Sequence, residues 1–186
     1  KFLIVYIIFG FLSIFTVATL TDNLSFSGLK KYTGTSLYKE ANLLASDYLP
    51  YYFSEDVTLS DVRIQLSGME RRLDASIWFV DTEGKVITSV HSDAYPTVPT
   101  LVNDFNPVEY GTSKYQIGNY HDYFTEDVIT VMAPVISNYV PKGYLMIHKN
   151  VSDLEGVQEI FMRSAYITLI VVFLLSFVFL LTFRLI

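Results

Sequence analysis

The chain has 186 residues, with 14 tyrosines, 14 phenylalanines and no cysteine. Without cysteine, disulfides, thiol catalysis and thiolate metal sites are excluded, and the fold must rely on its apolar core. All 19 acidic residues but only 11 of the 13 basic ones lie between Lys1 and Arg184, which leaves that stretch at −8 and argues against nucleic acid as a partner.

Residues 2–20 carry no charge over 19 positions. At about 1.5 Å per residue, a helix of that length reaches roughly 28 Å, close to the hydrocarbon thickness of a bilayer. The run exceeds the roughly 7 to 15 apolar residues of a signal peptide and no clean small-residue cleavage site follows, so it predicts a retained membrane helix over residues 1–20. Residues 165–183 form a second uncharged run of 19, bracketed by Arg163 and Arg184, whose stems can snorkel to the two interfaces. A second membrane helix is therefore expected over 164–186, with an extracytoplasmic domain over 21–163 between the two anchors. Beginning at Lys1 and ending just past Arg184, the chain reads as a fragment of a larger cell-membrane protein.

After the first anchor, Leu37, Ala41, Leu44 and Tyr48 recur at helical spacing and mark one apolar face, ended by Pro50. Thr58 with Asp61 three residues later is a capping pattern, and Val62, Leu66, Met69 and Leu73 then share a face of a second helix. At residue 76 the period changes to that of strands. Residues 76–81 and 85–90 flank Thr82-Glu83-Gly84 and predict a hairpin. From 92 to 112 the chain is broken by Pro96, Pro99, Pro107 and Gly111, which predicts a long loop with a short helical piece, and loops of that length are often functional. Three further strands are expected over 113–120, 127–137 and 143–150, the last two joined by a turn around 138–142. The short connections make the sheet antiparallel. Ser152 with Glu155 is another capping pattern, from which one helix runs through residue 183.

This order of elements, together with the hairpin Ile77-Trp78-Phe79-Val80-Asp81-Thr82-Glu83-Gly84-Lys85-Val86-Ile87, resembles the PAS-like extracellular sensor domains called Cache or PDC. The resemblance covers roughly residues 21–163. It implies an α+β fold with a five-stranded antiparallel sheet and a long N-terminal helix, flanked by two transmembrane helices. It also implies the input region of a transmembrane receptor. Most often that is a sensor histidine kinase of a bacterial two-component system, homodimeric through its membrane helices and acting on a response regulator. A chemoreceptor or a cyclic-dinucleotide enzyme is the less frequent output. The ligand implied is a small molecule, a cation or a peptide, and no cofactor is expected.

No nucleotide loop, zinc-protease helix or nucleophile elbow is present, so no catalysis is expected on this chain. Strand alternation puts Tyr144, Met146 and His148 on one side of the last strand and Leu145 and Ile147 on the other. The mixed set, with Trp78 and Tyr115 as neighbours, is the candidate ligand face under the 92–112 loop, against the alternative that these are core aromatics. Arg71, beside Arg72, is a candidate carboxylate clamp because a guanidinium offers paired donors. His121, Asp122, Glu126 and Asp127 carry imidazole and oxygen ligands within seven residues, a weak metal candidate against the reading of a solvated turn. A membrane-anchored subunit of a channel or transporter complex is the competing class. Tyr166, Thr168, Ser176 and Thr182 are the polar positions that a pore could use in the second anchor.

Overall fold

A computed structural model describes residues 2–91, 95, 96, 98–110 and 113–185 of the chain. It divides into two compact units, Lys30–Asp153 and, separately, Lys1–Leu29 with Leu154–Ile186.

The first helix, α1, is continuous over Phe2–Asp47. Its buried seam in the sheet-bearing unit runs through Leu37, Ala41 and Ala45 and continues to Leu49 just beyond it. This i, i+4 row replaces the expected one at its end, since Leu44 and Tyr48 are only half-buried. Pro50 does not simply end the helix: it opens a short second one, α2 (Pro50–Phe53), at the first position, where its missing N–H costs nothing. Helix α3 (Leu59–Leu73) begins as read from sequence. The Thr58 backbone N–H donates to the Asp61 carboxylate (2.9 Å), and the Asp61 N–H donates to the Thr58 hydroxyl oxygen (3.2 Å). The Thr58 hydroxyl also donates to the Asp61 carboxylate (2.6 Å), and this bond, with that from the Thr58 N–H, holds the carboxyl below the ordinary carboxylate range. Val62, Leu66 and Met69 are the buried face.

Five strands follow: β1 (Ser76–Asp81), β2 (Val86–Val90), β3 (Gln116–Gly118), β4 (Val128–Ser137) and β5 (Val140–Asn150). They form one sheet in the order β2-β1-β5-β4-β3, and every pairing is antiparallel. At the β1–β2 turn the Asp81 carboxylate accepts the N–H groups of Glu83 (2.8 Å) and Lys85 (2.9 Å). Gly84 there has φ of 86°, a left-handed conformation that glycine takes without strain. Between β2 and β3 lies the expected long connection, containing a 3₁₀ turn at Pro107–Tyr110. Strand β5 starts earlier than expected, because only Asn138 and Tyr139, with φ of 53° and 62°, turn the β4–β5 hairpin.

The sheet is buried on both faces, as five successive positions of β1 from Ser76 to Val80 demonstrate. Phe79 marks the helix-facing side: its ring lies 5.8 Å from those of Tyr52 and Phe53, and its cross-strand partner on β5 is Leu145. The opposite face carries Trp78, Val80, Met132 and Met146.

The last helix, α4, spans Ser152–Leu185. Among the described residues one helical segment, Ser152–Thr182, is long and apolar enough to cross a membrane, while Ile4–Val17 of α1 is a shorter apolar stretch. Within this second unit the Tyr6 ring stacks on Phe173 with centroids 5.2 Å apart, and the Tyr6 hydroxyl donates to the Phe173 carbonyl oxygen (2.9 Å).

Removing a fully buried ring costs both transfer energy and a residual cavity. Phe79→Ala is expected to lose about 3–5 kcal/mol of stability. Urea unfolding followed by the fluorescence of Trp78, the chain's single tryptophan, measures it.

Candidate functional site: the outer face of the sheet

Cross-strand register sets the floor of this face. Trp78 on β1 lies opposite Met146 on β5, Ser76 opposite His148, and His148 opposite Thr130 on β4. The alternation read from β5 is therefore the one the sheet uses. Because β5 is the middle strand, its outward residues lie at the centre of the face.

The cover comes from the connection after β2. Tyr120, His121 and Asp122 have φ of 44°, 53° and 61°, three successive left-handed residues with no glycine among them. The turn is closed by the Phe124 N–H donating to the Asn119 carbonyl (3.1 Å) and the Tyr123 N–H donating to that of Tyr120 (3.2 Å). This geometry sends Tyr120 and Phe124 inward and leaves His121 and Asp122 exposed. Phe124 stacks on Trp78 with centroids 5.8 Å apart and planes 20° apart, and Tyr120 meets the same indole edge-on at 5.8 Å. The Trp78 indole N–H donates to the Ser76 hydroxyl (2.8 Å), which satisfies it without water. Tyr95 backs Phe124 from behind, donating its hydroxyl to the Asp74 carbonyl (3.1 Å) and accepting the Asn150 N–H (3.3 Å).

His148 sits at the middle of this box. Its ring centroid lies 4.3 Å from that of Trp78, 4.6 Å from Tyr120 and 5.0 Å from Phe124. The imidazole Nδ1 is hydrogen-bonded to the Thr130 hydroxyl (2.9 Å), and Nε2 has no partner among the described residues. Burial alone pushes the imidazole down to about 3, so the ring is neutral at ordinary pH. Burial pushes Tyr110 up to about 12 and drives Tyr95 and Tyr120 upward as well, which keeps these phenols neutral.

Trp78, Met146 and His148 are thus brought together, but as the floor of a face filled by the chain's own aromatic rings. Tyr144 lies on the same face, half-buried against Phe105 at 5.6 Å. Tyr115 is placed elsewhere: it lies before β3, and its ring fills the space that a side chain at Gly34 of α1 would need. Arg71 is also outside the face, because the buried side of α3 is set by Val62, Leu66 and Met69 and turns Arg71 to solvent. Its neighbour Arg72 pairs with Glu40 (2.8 Å). Nor do His121, Asp122, Glu126 and Asp127 converge. Among the described residues no group of three or more such side chains is placed to hold a metal ion, and the Asp122 carboxylate instead accepts from the Asn119 amide.

The open space is beside the aromatic box. A cavity of about 210 Å³ is lined by Glu109, Tyr110, Gln116, Tyr120, His121 and Thr130, among others. Thr130 joins the two, since it borders the cavity and holds His148. Tyr95, Tyr110, Tyr120, Phe124 and Thr130 were not legible as site residues from strand alternation on β5. The aromatic run at 120, 123 and 124 is the signal that could have pointed to them.

No family model matches the sequence, and no curated protein matches it. Solved structures do. The extracellular domain of vpHK1S-Z8, a protein assigned as a histidine kinase, superimposes with a TM-score of 0.54 at 15% identity, over 75% of this chain and 60% of that one. The sensor domain of the V. cholerae histidine kinase DctB gives 0.51 at 14%, over 76% and 60%. The ligand-binding domain of the Campylobacter jejuni chemoreceptor Tlp3, in complex with L-norvaline, gives 0.50 at 16%, over 82% and 62%. The chain spans about three fifths of the length of each. At such identities the likeness establishes the fold, and that fold is one used by extracellular sensor domains of histidine kinases and chemoreceptors.

The burial difference on this face has a measurable consequence. Trp78→Ala is expected to cost about 3–5 kcal/mol, as for other fully buried rings, and Tyr144→Ala clearly less. Thermal unfolding followed by far-UV circular dichroism, which needs no tryptophan, gives the comparison.

Proposed function

We propose that this chain, which has the PAS-like Cache fold of extracellular sensor domains, is the signal-input region of a two-component sensor histidine kinase. In this reading residues 1–20 and 164–186 are two membrane spans, and residues 21–163 are the extracytoplasmic sensor. The homodimer forms through the membrane helices, and the phosphate acceptor is a response regulator served by a cytoplasmic portion.

One observation carries the reading. Strand β5, the middle strand of the sheet, ends at Asn150, and α4, whose Ser152–Thr182 segment can cross a membrane, begins at Ser152. Val151 alone separates them, and its N–H is tied to the Asp127 carbonyl (2.9 Å). A change on the outer face of the sheet therefore has no flexible loop in which to dissipate before it reaches the helix. The continuous helical ladder that starts at Ser152 would turn a strand shift into helix movement.

The cavity beside Thr130 supports a small ligand. Its 210 Å³ lies below the roughly 300–1,000 Å³ of drug-sized sites. The amide of Gln116, the hydroxyl of Thr130 and the rings of Tyr110 and Tyr120 offer hydrogen bonds and flat apolar contact. The Tlp3 domain binds L-norvaline, a molecule of suitable size, so amino acids head the panel to be tried.

Thermal shift of the chain in detergent against single amino acids, small carboxylates and small amines tests the binding half. A molecule present at 100 times its dissociation constant stabilises by about 2.7 kcal/mol, and Gln116→Leu should abolish that gain. The transmission half is tested in the receptor that carries this region. Gln158→Pro removes a backbone donor and clashes with the preceding turn of α4, costing roughly 3 kcal/mol or more. The expected outcome is an output that no longer follows its stimulus, with melting of the sheet-bearing unit unchanged. A normal stimulus response in that variant contradicts transmission through α4.

A further inference from the structure

His148 is buried completely, yet among the described residues the only polar contact its ring makes is with Thr130. A neutral imidazole has one donor and one acceptor nitrogen, so one of these functions goes unused inside the box. The groups that face the ring are Ser76 and Trp78 from β1, Thr130 from β4, and Tyr120 and Phe124 from the left-handed turn. Behind Tyr120 stand Tyr110, Tyr123 and the carboxylate of Glu109. Behind Phe124 stands Tyr95, with Glu70, Asp74 and Asp153 around its hydroxyl. No carboxylate is hydrogen-bonded to the imidazole, and desolvation is the sole cause of its shift. Among the described residues, a protonated ring in the closed box would find no hydrogen-bonded counter-charge.

We propose that His148 makes closure of this face pH-dependent, its protonation favouring a state in which the turn over residues 119–124 leaves the sheet and the imidazole reaches water past Thr130. Two features of the fold suit such an opening. The turn is held by three successive left-handed residues, none of them glycine, a conformation that persists only while its surroundings enforce it. The cavity bordered by Thr130, Tyr120 and Tyr110 already reaches the edge of the box, so the ring has a short way out.

The direction follows from linkage. The group is held low in the closed state and returns to about 6.5 when open, so closure is fully stable above that pH and is lost progressively as pH falls toward about 3. Between pH 7 and pH 5 the ratio of open to closed molecules should rise about 25-fold. The flanking tyrosines stay neutral throughout this range because burial drives them the other way. The consequence for signalling rests on the reading of this face as the input: extracellular acidification would act on β5 at the point that feeds α4.

Amide hydrogen exchange on the chain in detergent micelles measures the opening directly once intrinsic rates are divided out. For the Phe124 amide, bonded to Asn119 in the turn, protection is expected to be lower than for Leu66 in α3 and to fall about 25-fold from pH 7 to pH 5. In His148→Gln the fall should vanish. Three results would overturn the proposal: protection at Phe124 that ignores pH, an equal fall in His148→Gln, or protection at Phe124 equal to that at Leu66, which would mean that the face opens only by global unfolding. Should His148→Gln not fold, the profile of His121→Gln, which keeps His148 and removes the exposed imidazole on the turn itself, still decides. Imidazole linkage begins near pH 6.5 with one proton per opening, whereas an onset near pH 4 belongs to carboxylates and refutes the role of His148. Ligand binding in the cavity is not read by this experiment, so its failure and that of the sensor reading are separate outcomes.

Discussion

A sheet whose strands are apolar on both faces must be covered twice. In this chain β1 buries five residues in succession, and β4 buries its first six, so neither face can be left to water. Helices supply one cover, with Phe79 against Tyr52 and Phe53. The other has, among the described residues, no helix longer than the 3₁₀ turn at Pro107–Tyr110 and is built from a connection broken by prolines. That constraint explains why the connection is so aromatic. Tyr95, Tyr110, Tyr120 and Phe124 bring large area with few rotatable bonds, which is what an irregular segment needs to close over Trp78 and Met146. What resembles a free loop in the sequence is the second layer of the core.

The regular elements were readable because each carries a local chemical signal. The Thr58–Asp61 pair starts α3, the Thr82-Glu83-Gly84 turn pairs β1 with β2, and the period of two along β5 separates Leu145 and Ile147 from Tyr144, Met146 and His148. The irregular features were not readable, because they depend on tertiary enforcement of unfavourable backbone. Nothing in Tyr120-His121-Asp122 announces three left-handed residues, and the inward direction of Tyr120 and Phe124 follows from them alone. The β4–β5 turn misleads for a related reason. Pro141 looks like part of a turn but sits within β5, opposite the register shift between Val135 and Ile136, where its missing N–H is tolerated. Tyr115, expected as a neighbour of the face, and Arg71, expected as a carboxylate clamp, are both placed away from it by the fold.

A filled face changes what sensing on this fold requires. Among the described residues, aromatic rings pack against His148, so on the proposed reading a ligand would act from the side cavity or a proton on the box itself, and both routes would pass Thr130. Thr130 and His148 lie on the two strands with the longest pairing in the sheet, from Val128–Asn150 to Ser137–Val140. Any rearrangement at that rung must move β5 or break its ladder. Since β5 runs into α4 across Val151 alone, the site and its exit are parts of one strand.

The central claim, that the state of the outer face reaches α4 through β5, is tested most directly by opening the face without a ligand. Phe124→Ala removes the ring that stacks on Trp78 and borders His148. Hydrogen exchange mapped by mass spectrometry on this variant and on wild type, at pH 7 and below the unfolding transition, gives the measurement. The account predicts faster exchange in residues 119–124, in β5 and in the second turn of α4, the first whose amides are bonded within the helix, with α3 unchanged. Loss of protection confined to residues 119–124 and β5, with that turn of α4 as protected as in wild type, would contradict it.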